Sequence, residues 1–335
     1  MARGPQRLHP ARIAAKIAAM DGLPGDRIAV ILPCYDEAAT IAKVVRDFAQ
    51  ALPGARICVF DNASSDGTAE AARAAGAEVH TVLLRGKGNV IRRMFADVDA
   101  DVYVMADGDD TYEAAAAGRL VQKLCNEGLD MVVGSRVDDA PGAYRAGHRL
   151  GNRLLTRAVA WLFGDSFSDM LSGYRVFSRR YVKSFPASAA GFETETELTV
   201  HALQLRMAVA EVPTRYGERP DGSVSKLNTW RDGWRVLLTI LRLFKSERPL
   251  AFFSLGFLAC SLLAVLLALP LFSEYLRTGL VPRFPTAILC TGLVLFGVIL
   301  LACGLVLDTV TRGRIEAKRL AYLAQPAPRR MQAGR

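Results

Sequence analysis

No C-x-x-C pair occurs among the six cysteines, Cys34, Cys58, Cys125, Cys260, Cys290 and Cys303, which excludes the motifs built on closely spaced thiols. Cysteine used as a small apolar residue in a reduced cytoplasmic compartment is the simplest account. There is no internal repeat and no nucleic-acid recognition motif. The net charge of +9 therefore reads as attraction to anionic headgroups and phosphorylated ligands, with no nucleic acid as partner. Charge itself is missing from two long stretches, Pro249 to Ser273 and Phe284 to Leu307. Each exceeds the ~20 residues that a membrane-spanning helix requires, and their late position is not that of a signal peptide. The other reading is a pair of buried core helices, but soluble helices rarely run so long without a polar face.

The flanks orient the pair. Arg231, Arg235, Arg242, Lys245 and Arg248 precede the first stretch, and Arg312, Arg314, Lys318, Arg319, Arg329, Arg330 and Arg335 follow the second. The loop between them, Glu274 to Arg283, carries only Arg277 and Arg283. The positive-inside rule then expects a multi-pass protein of the inner membrane, with the bulk of the chain and both ends in the cytoplasm.

What lies ahead of the apolar stretches alternates between strand and helix patterns. Ile28 to Leu32 reads as a buried strand, and Glu37 to Leu52 as a helix with Ile41, Val44, Val45, Phe48 and Leu52 on one face. Arg56 to Phe60 is a second strand and Asp66 to Ala75 a second helix, closed by Gly76. Apolar runs at Glu78 to Leu83, Asp101 to Ala106 and Asp130 to Val133 are separated by helical patterns at 88–98 and 112–127. This alternation predicts an α/β fold with a mostly parallel, Rossmann-like sheet and flanking helices. Beyond Gly134 the alternation weakens: Arg149 to Phe163 and Glu193 to Arg206 look helical, and Arg215 to Asn228 is a polar loop.

The expected organisation is a basic leader at 1–26, an α/β domain at 27–228, and a juxtamembrane helix at 229–248. Spans at 249–273 and 284–308 and a basic tail at 309–335 complete it. In the juxtamembrane helix, cations at 231, 235, 242 and 245 share one face, while Val236, Leu237, Ile240, Leu241 and Phe244 fill the other. That is the pattern of a helix lying in the membrane interface.

In open parallel sheets ligands bind beyond the carboxyl ends of the strands. Here those ends are followed by Pro33-Cys34-Tyr35-Asp36-Glu37, by Asp61-Asn62-Ala63-Ser64-Ser65-Asp66-Gly67-Thr68, by Asp107-Gly108-Asp109-Asp110, and by Gly134-Ser135-Arg136. Four strand ends thus deliver carboxylates, small residues and an arginine to one rim. Asp107 and Asp109, an Asp-x-Asp directly after the run Val102 to Met105, suit a hard divalent ion, Mg²⁺ or Mn²⁺, that keeps positions for substrate phosphates. Asp109 is expected to be an exposed rim carboxylate. Asp61 is placed to accept hydrogen bonds from the imino group of a base, and the Ser64 to Thr68 segment is equally a helix cap. Arg85-Gly86-Lys87-Gly88 offers two cations at the start of a helix, a phosphate or ribose contact.

From about Ile28 to Leu227 the chain resembles the family 2 inverting glycosyltransferases of the GT-A fold, specifically the dolichol- and undecaprenyl-phosphate sugar synthases. The resemblance rests on Pro33-x-Tyr35-x-Glu37, Asp61 with Ser65-Asp66-Gly67-Thr68, Gly86-Lys87-Gly88, Asp107-x-Asp109 and Gly134-Ser135-Arg136. It continues in Ser172-Gly173-Tyr174-Arg175, Glu211-Val212-Pro213 and Arg219-x-x-Gly222-x-Ser225-Lys226-Leu227. It implies that Pro33, Tyr35, Glu37 and Asp61, with Lys87, Asp107 and Gly108, hold a nucleotide-sugar. It further implies that Asp107 and Asp109 hold the metal, that Arg219 and Lys226 close over the pyrophosphate, and that Arg136 and Arg149, beside Ser135, receive the phosphate of a polyprenyl lipid. The sequence departs from the family at Asp36, at Asn62-Ala63 and at Asp110-Thr111-Tyr112-Glu113. If the acceptor were a sugar hydroxyl instead, a carboxylate base would be required, and Asp169 is the residue placed for it. A homo-oligomer stays open.

Overall fold

Ile28–Cys34 (β1), Arg56–Asp61 (β2) and Val102–Met105 (β4) are apolar on both sides of the pleat and almost wholly buried. Strands of that kind need both faces covered. On one face Ile41–Ala51 (α1) buries Ile41, Val44, Val45 and Phe48, and Ala117–Glu127 (α4) buries Leu120, Val121 and Leu124. Both join Val30, Leu32 and Val104 in one core. Side chains of the other parity face Lys87–Asp97 (α3), whose Phe95 meets Tyr103 edge-on at 6.4 Å between ring centroids. The computed structural model describes residues 27–138, 156–163, 167–188, 193–217 and 229–327.

Among the described residues, Glu78–Thr81 (β3), Met131–Asp138 (β5), Arg175–Ser178 (β6) and Val209–Tyr216 (β7) join these strands in one seven-stranded sheet, in the order β3-β2-β1-β4-β6-β5-β7. β1, β2, β3 and β4 are mutually parallel, as is the pair of β5 and β7. β6 lies antiparallel between β4 and β5. The predicted α/β sheet is therefore present, with β6 and β7 as additions that periodicity did not reveal. β6 is only four residues long and opens on a charged residue, while β7 contains Pro213 and is mostly half-buried. Helix starts also fall later than predicted. α1 begins at Ile41 because the amides of Thr40 and Ile41 both donate to the Glu37 carbonyl, in a turn. Thr68–Ala74 (α2) begins after Asp66, whose carboxylate accepts the Thr68 amide at 3.0 Å. Arg179–Ser184 (α5) and Thr194–Gln204 (α6) complete this part.

The chain divides into two compact units, Met1–Gly233 with Lys318–Arg335, and Trp234–Ala317. Thr229–Glu247 (α7) leads from the first into the second, which is built of Pro249–Thr278 (α8) and most of Phe284–Leu323 (α9). α8 and α9 are each long and apolar enough to cross a membrane, and few of their residues are buried. α9 stays helical well past Leu307, and its last turns bond within the first unit. Lys318 Nζ donates to Gln204 Oε1 at 2.7 Å, the Tyr322 hydroxyl donates to Asp130 Oδ2 at 3.0 Å, and Arg180 lies 4.7 Å from the Tyr322 ring centre.

Candidate active site

Parallel register aligns the ends of β1 and β2, with Pro33 opposite Phe60 and Cys34 opposite Asp61. The loops that follow brace one another. The amides of Asp36, Glu37 and Ala38 donate to Ser64 Oγ, Thr68 Oγ1 and Asp66 Oδ2, each at 2.9 Å, and the Ser65 amide returns a bond to Asp36 Oδ1 at 2.9 Å. The Ser64 to Thr68 segment thus serves as scaffold for the Tyr35 to Glu37 loop. Asp61 is buried and accepts the Ser64 amide, while Tyr35 lies under Arg85 at 5.1 Å. Asn62 uses its whole amide. It donates to the carbonyls of Val82 (2.9 Å) and Leu84 (2.8 Å) and accepts the Gly86 amide (2.8 Å), which hangs the Gly86-Lys87-Gly88 loop from β2. An Asp at 62 would have no donor for those carbonyls, which accounts for this departure from the family pattern.

The Asp107 to Asp110 loop follows β4. Lys87 Nζ is 2.7 Å from Asp107 Oδ1 and 2.7 Å from Glu195 Oε1. Burial works against this ammonium, but the two carboxylates outweigh it and hold its pKa above that of an ordinary lysine. The second oxygen of Glu195 is buried and has no hydrogen-bond partner. Gly173 approaches Asp107 so closely that a Cβ there would sit 2.6 Å from Oδ2, and a larger residue would displace the carboxylate. Asp109 differs from expectation. It is buried, 3% exposed, because its own loop closes on it, with Oδ1 accepting from the Thr111 hydroxyl at 2.6 Å. The Gly108 carbonyl accepts from Thr40 Oγ1 at 2.7 Å, and Asp110 pairs with Lys43 at 2.7 Å. The Tyr112 hydroxyl accepts the Gly173 amide at 2.9 Å, so the departure at 110–113 builds a support for the Ser172-Gly173 turn.

At the end of β5, beside Ser135, Arg136 and Asp169 form a bidentate pair, Nε to Oδ2 at 2.6 Å and Nη2 to Oδ1 at 2.7 Å. Arg136 also lies over the Tyr216 ring at 5.3 Å. Burial alone would raise the Asp169 carboxyl, yet the bonds and charge of Arg136 prevail and hold it below the usual carboxylate range. Glu211 accepts the Ser168 amide at 3.0 Å and fixes that turn. Behind it Arg175 is fully buried, donating to the carbonyls of Ser172 and Met170 and to Thr199 Oγ1.

The structure therefore gathers Asp107 with Lys87, Arg136 with Asp169, and Pro33, Tyr35, Glu37 and Asp61 along the β1 and β2 ends. Arg149, Arg219 and Lys226 lie outside the described residues. Sequence reasoning missed Glu195, and it named Arg175 in a motif without giving it a role. The run Glu193-Thr194-Glu195-Thr196-Glu197, acidic and without an apolar stripe at a helix start, was the available signal for Glu195.

Residues 29–185 match the family described as glycosyl transferase family 2. Glycosyltransferase AglJ of Haloferax volcanii is 37% identical over 302 residues, covering 89% of this chain and 98% of that protein. The chain belongs to glycosyltransferase family 2. This glycosyltransferase is also 28% identical to the polyprenol monophosphomannose synthase of Mycolicibacterium smegmatis, over 61% of this chain and 82% of that one. Among solved structures, glucosyl-3-phosphoglycerate synthase from Mycobacterium tuberculosis in complex with Mn²⁺, uridine diphosphate and glucosyl-3-phosphoglycerate superposes with a TM-score of 0.55 at 25% identity, covering 72% of this chain and 86% of that one. The fold is thus that of the expected family, and the protein is a hexosyltransferase.

Proposed function

We propose that this glycosyltransferase moves a hexose, with inversion, from a UDP- or GDP-linked donor to a polyprenyl phosphate at the cytoplasmic face of a membrane. The observation that carries the reading is Asp169. Both of its oxygens are held by Arg136, and a carboxylate so paired is a weak proton acceptor. A sugar hydroxyl as acceptor would need a base there. A phosphate monoester, with a second pKa of roughly 6, is already anionic and needs only positioning. Arg136, fixed by Asp169 and stacked on Tyr216, is suited to hold such an anion, and Arg149 is proposed to assist it. The names of relatives that act on polyprenol phosphate, and two helices of spanning length, agree with a lipid acceptor. α7 is proposed to lie in the interface, its Leu237 and Leu241 about half exposed.

On the donor side, Pro33, Tyr35, Glu37 and Asp61 are assigned to the nucleoside, and Lys87, Arg219 and Lys226 to the diphosphate. The residues at the Asp107 loop fit a divalent ion. Their donors are all oxygens, as Mg²⁺ and Mn²⁺ require. Two carboxylates, Asp107 and Glu195, already hold an ammonium there, and one Glu195 oxygen is buried unpartnered. Asp107 and Asp109 would hold the ion, which supplies charge neutralisation on the departing diphosphate. The decisive assay incubates purified protein and undecaprenyl phosphate with a panel of UDP- and GDP-sugars and reads lipid products by mass. A hexosyl-phosphoryl lipid is expected. Transfer to sugar hydroxyls with no product on the lipid phosphate would refute the acceptor assignment.

A further inference from the structure

The exposed edge of the sheet carries a group that the transfer reaction does not use. Cys58 stands opposite Glu78 and Phe60 opposite His80 in the β2–β3 register, so these four side chains share one face. The Cys58 sulfur, a Glu78 oxygen and a His80 ring nitrogen all lie within 4.8 Å of one another. Cys58 Sγ is 3.8 Å from Glu78 Oε2. The imidazole stacks flat on Phe60, 4.6 Å between centroids at 10°. That contact fixes the ring while its Nε2 stays buried without a hydrogen-bond partner, a condition rare enough in folded proteins to need a cause. Arg56 grips Glu78 through Nε at 3.1 Å and Nη2 at 2.8 Å. Outer-shell partners orient metal-ligating carboxylates in this way, and each oxygen keeps a further lone pair. Cys58 is buried while Glu78 is exposed, which leaves an entry path from solvent.

We propose that Cys58, Glu78 and His80 form a binding site for a borderline-soft divalent cation, Zn²⁺ in chemical class, that clips edge strand β3 to β2. Sulfur, nitrogen and oxygen together are the donor set of zinc and not of magnesium. This separates the group from the oxygen-only residues at Asp107 and Asp109. Water would complete the tetrahedron. A cysteine thiol, with an ordinary pKa of about 8.5, is protonated at neutral pH. Binding converts the S–H to an S–Zn bond and releases that proton to solvent, one per ion. The clip would bear on the donor side of the site. Just past β3, Val82 donates to the Asp61 carbonyl at 2.8 Å, and Asn62 holds Val82 and Leu84.

The test uses the full chain in detergent with excess Mg²⁺ to fill the hard site. Co²⁺ should give a thiolate-to-metal charge-transfer band that saturates at one equivalent, and Zn²⁺ should abolish it. Zn²⁺ calorimetry in buffers of different ionisation enthalpy should report about one proton released per ion. Cys58→Ser should remove the band and lower Zn²⁺ affinity by more than the ~100-fold that losing an outer-shell partner can cost. Cys125→Ser should keep the band. A wild-type protein without the band, or a Cys58→Ser protein that retains it, overturns the site. If Cys58→Ser does not fold, His80→Gln at its half-buried edge position decides alone: unchanged Zn²⁺ affinity there overturns the proposal.

Discussion

The two halves of the sheet are held together by different forces. From β3 to β4, strands and helices meet through aliphatic and aromatic side chains, and the ion pair within the strands, Arg56 with Glu78, lies at the exposed edge. From β6 to β7 the interior is ionic. Arg175 is wholly enclosed, Arg180 grips Asp130 at 2.6 Å, and Arg136 grips Asp169 at 2.6 Å. The first half can change its interior by degrees and its rim independently. In the second half, the groups that make the site also hold the fold, because a buried charge that loses its partner is far costlier than a lost methyl group.

The strongest way to break this contrast is at Asp109. Although buried, it belongs to the rim of the aliphatic half. Asp109→Asn is predicted to cut turnover of nucleotide-sugar at least ~1,000-fold while the unfolding midpoint moves little. A collapsed fold, or full activity in a chelator, would contradict the assignment. Next comes Arg175→Met, predicted to cost about 3 kcal/mol by denaturant unfolding, against roughly 1 kcal/mol for Ile31→Val in the other half. Similar losses for the two would erase the distinction. Third, Arg136→Ala should raise the KM for polyprenyl phosphate by ~10- to 100-fold, about 1.4–2.7 kcal/mol, with little change in the KM for donor. Asp169→Asn should cost less than that. Loss of all turnover in Asp169→Asn with the lipid KM unchanged would restore Asp169 as a base and sink the phosphate reading.

The last prediction concerns His201 of α6, which bonds Ser184 Oγ at 3.0 Å. Burial, with a contribution from Lys318, lowers its pKa from 6.5 to about 3. The folded state therefore disfavours the imidazolium. Stability from the neutral ring is present above pH ~6.5 and is lost as pH falls toward about 3, with a slope of at most ~1.4 kcal/mol per pH unit. His201→Gln should flatten unfolding free energy over that range, and an unchanged slope would assign it to other groups.

The same contrast decides how much was legible in the sequence. Apolar runs and 3.6-residue stripes revealed β1 to β5 and α1 to α4, because burial of aliphatic side chains imposes a local period. The positions of Asp107, Asp61 and Arg136 at or near strand ends were legible because the apolar runs mark where those strands stop. β6, β7, Glu195 and the buried role of Arg175 were not. Their partners lie far along the chain, as with Arg136 and Asp169 or Lys87 and Glu195, and an ion pair leaves no periodic trace. The role of Asn62 was hidden for a similar reason: an amide's value lies in three bonds to residues some twenty positions ahead.

The bonds of Lys318 and Tyr322 to Gln204 and Asp130 bear on how such a protein can be cut and rebuilt. The apolar hairpin is an insertion inside the catalytic unit's chain, not an appendix to it. A premature stop in α7 removes both apolar helices and also the last turns of α9, leaving Asp130 without its phenol. A soluble form is therefore better made by excision than by truncation: delete Trp234–Ala317 and join the remaining segments through a flexible linker that returns Lys318 to Leu323 to their seat.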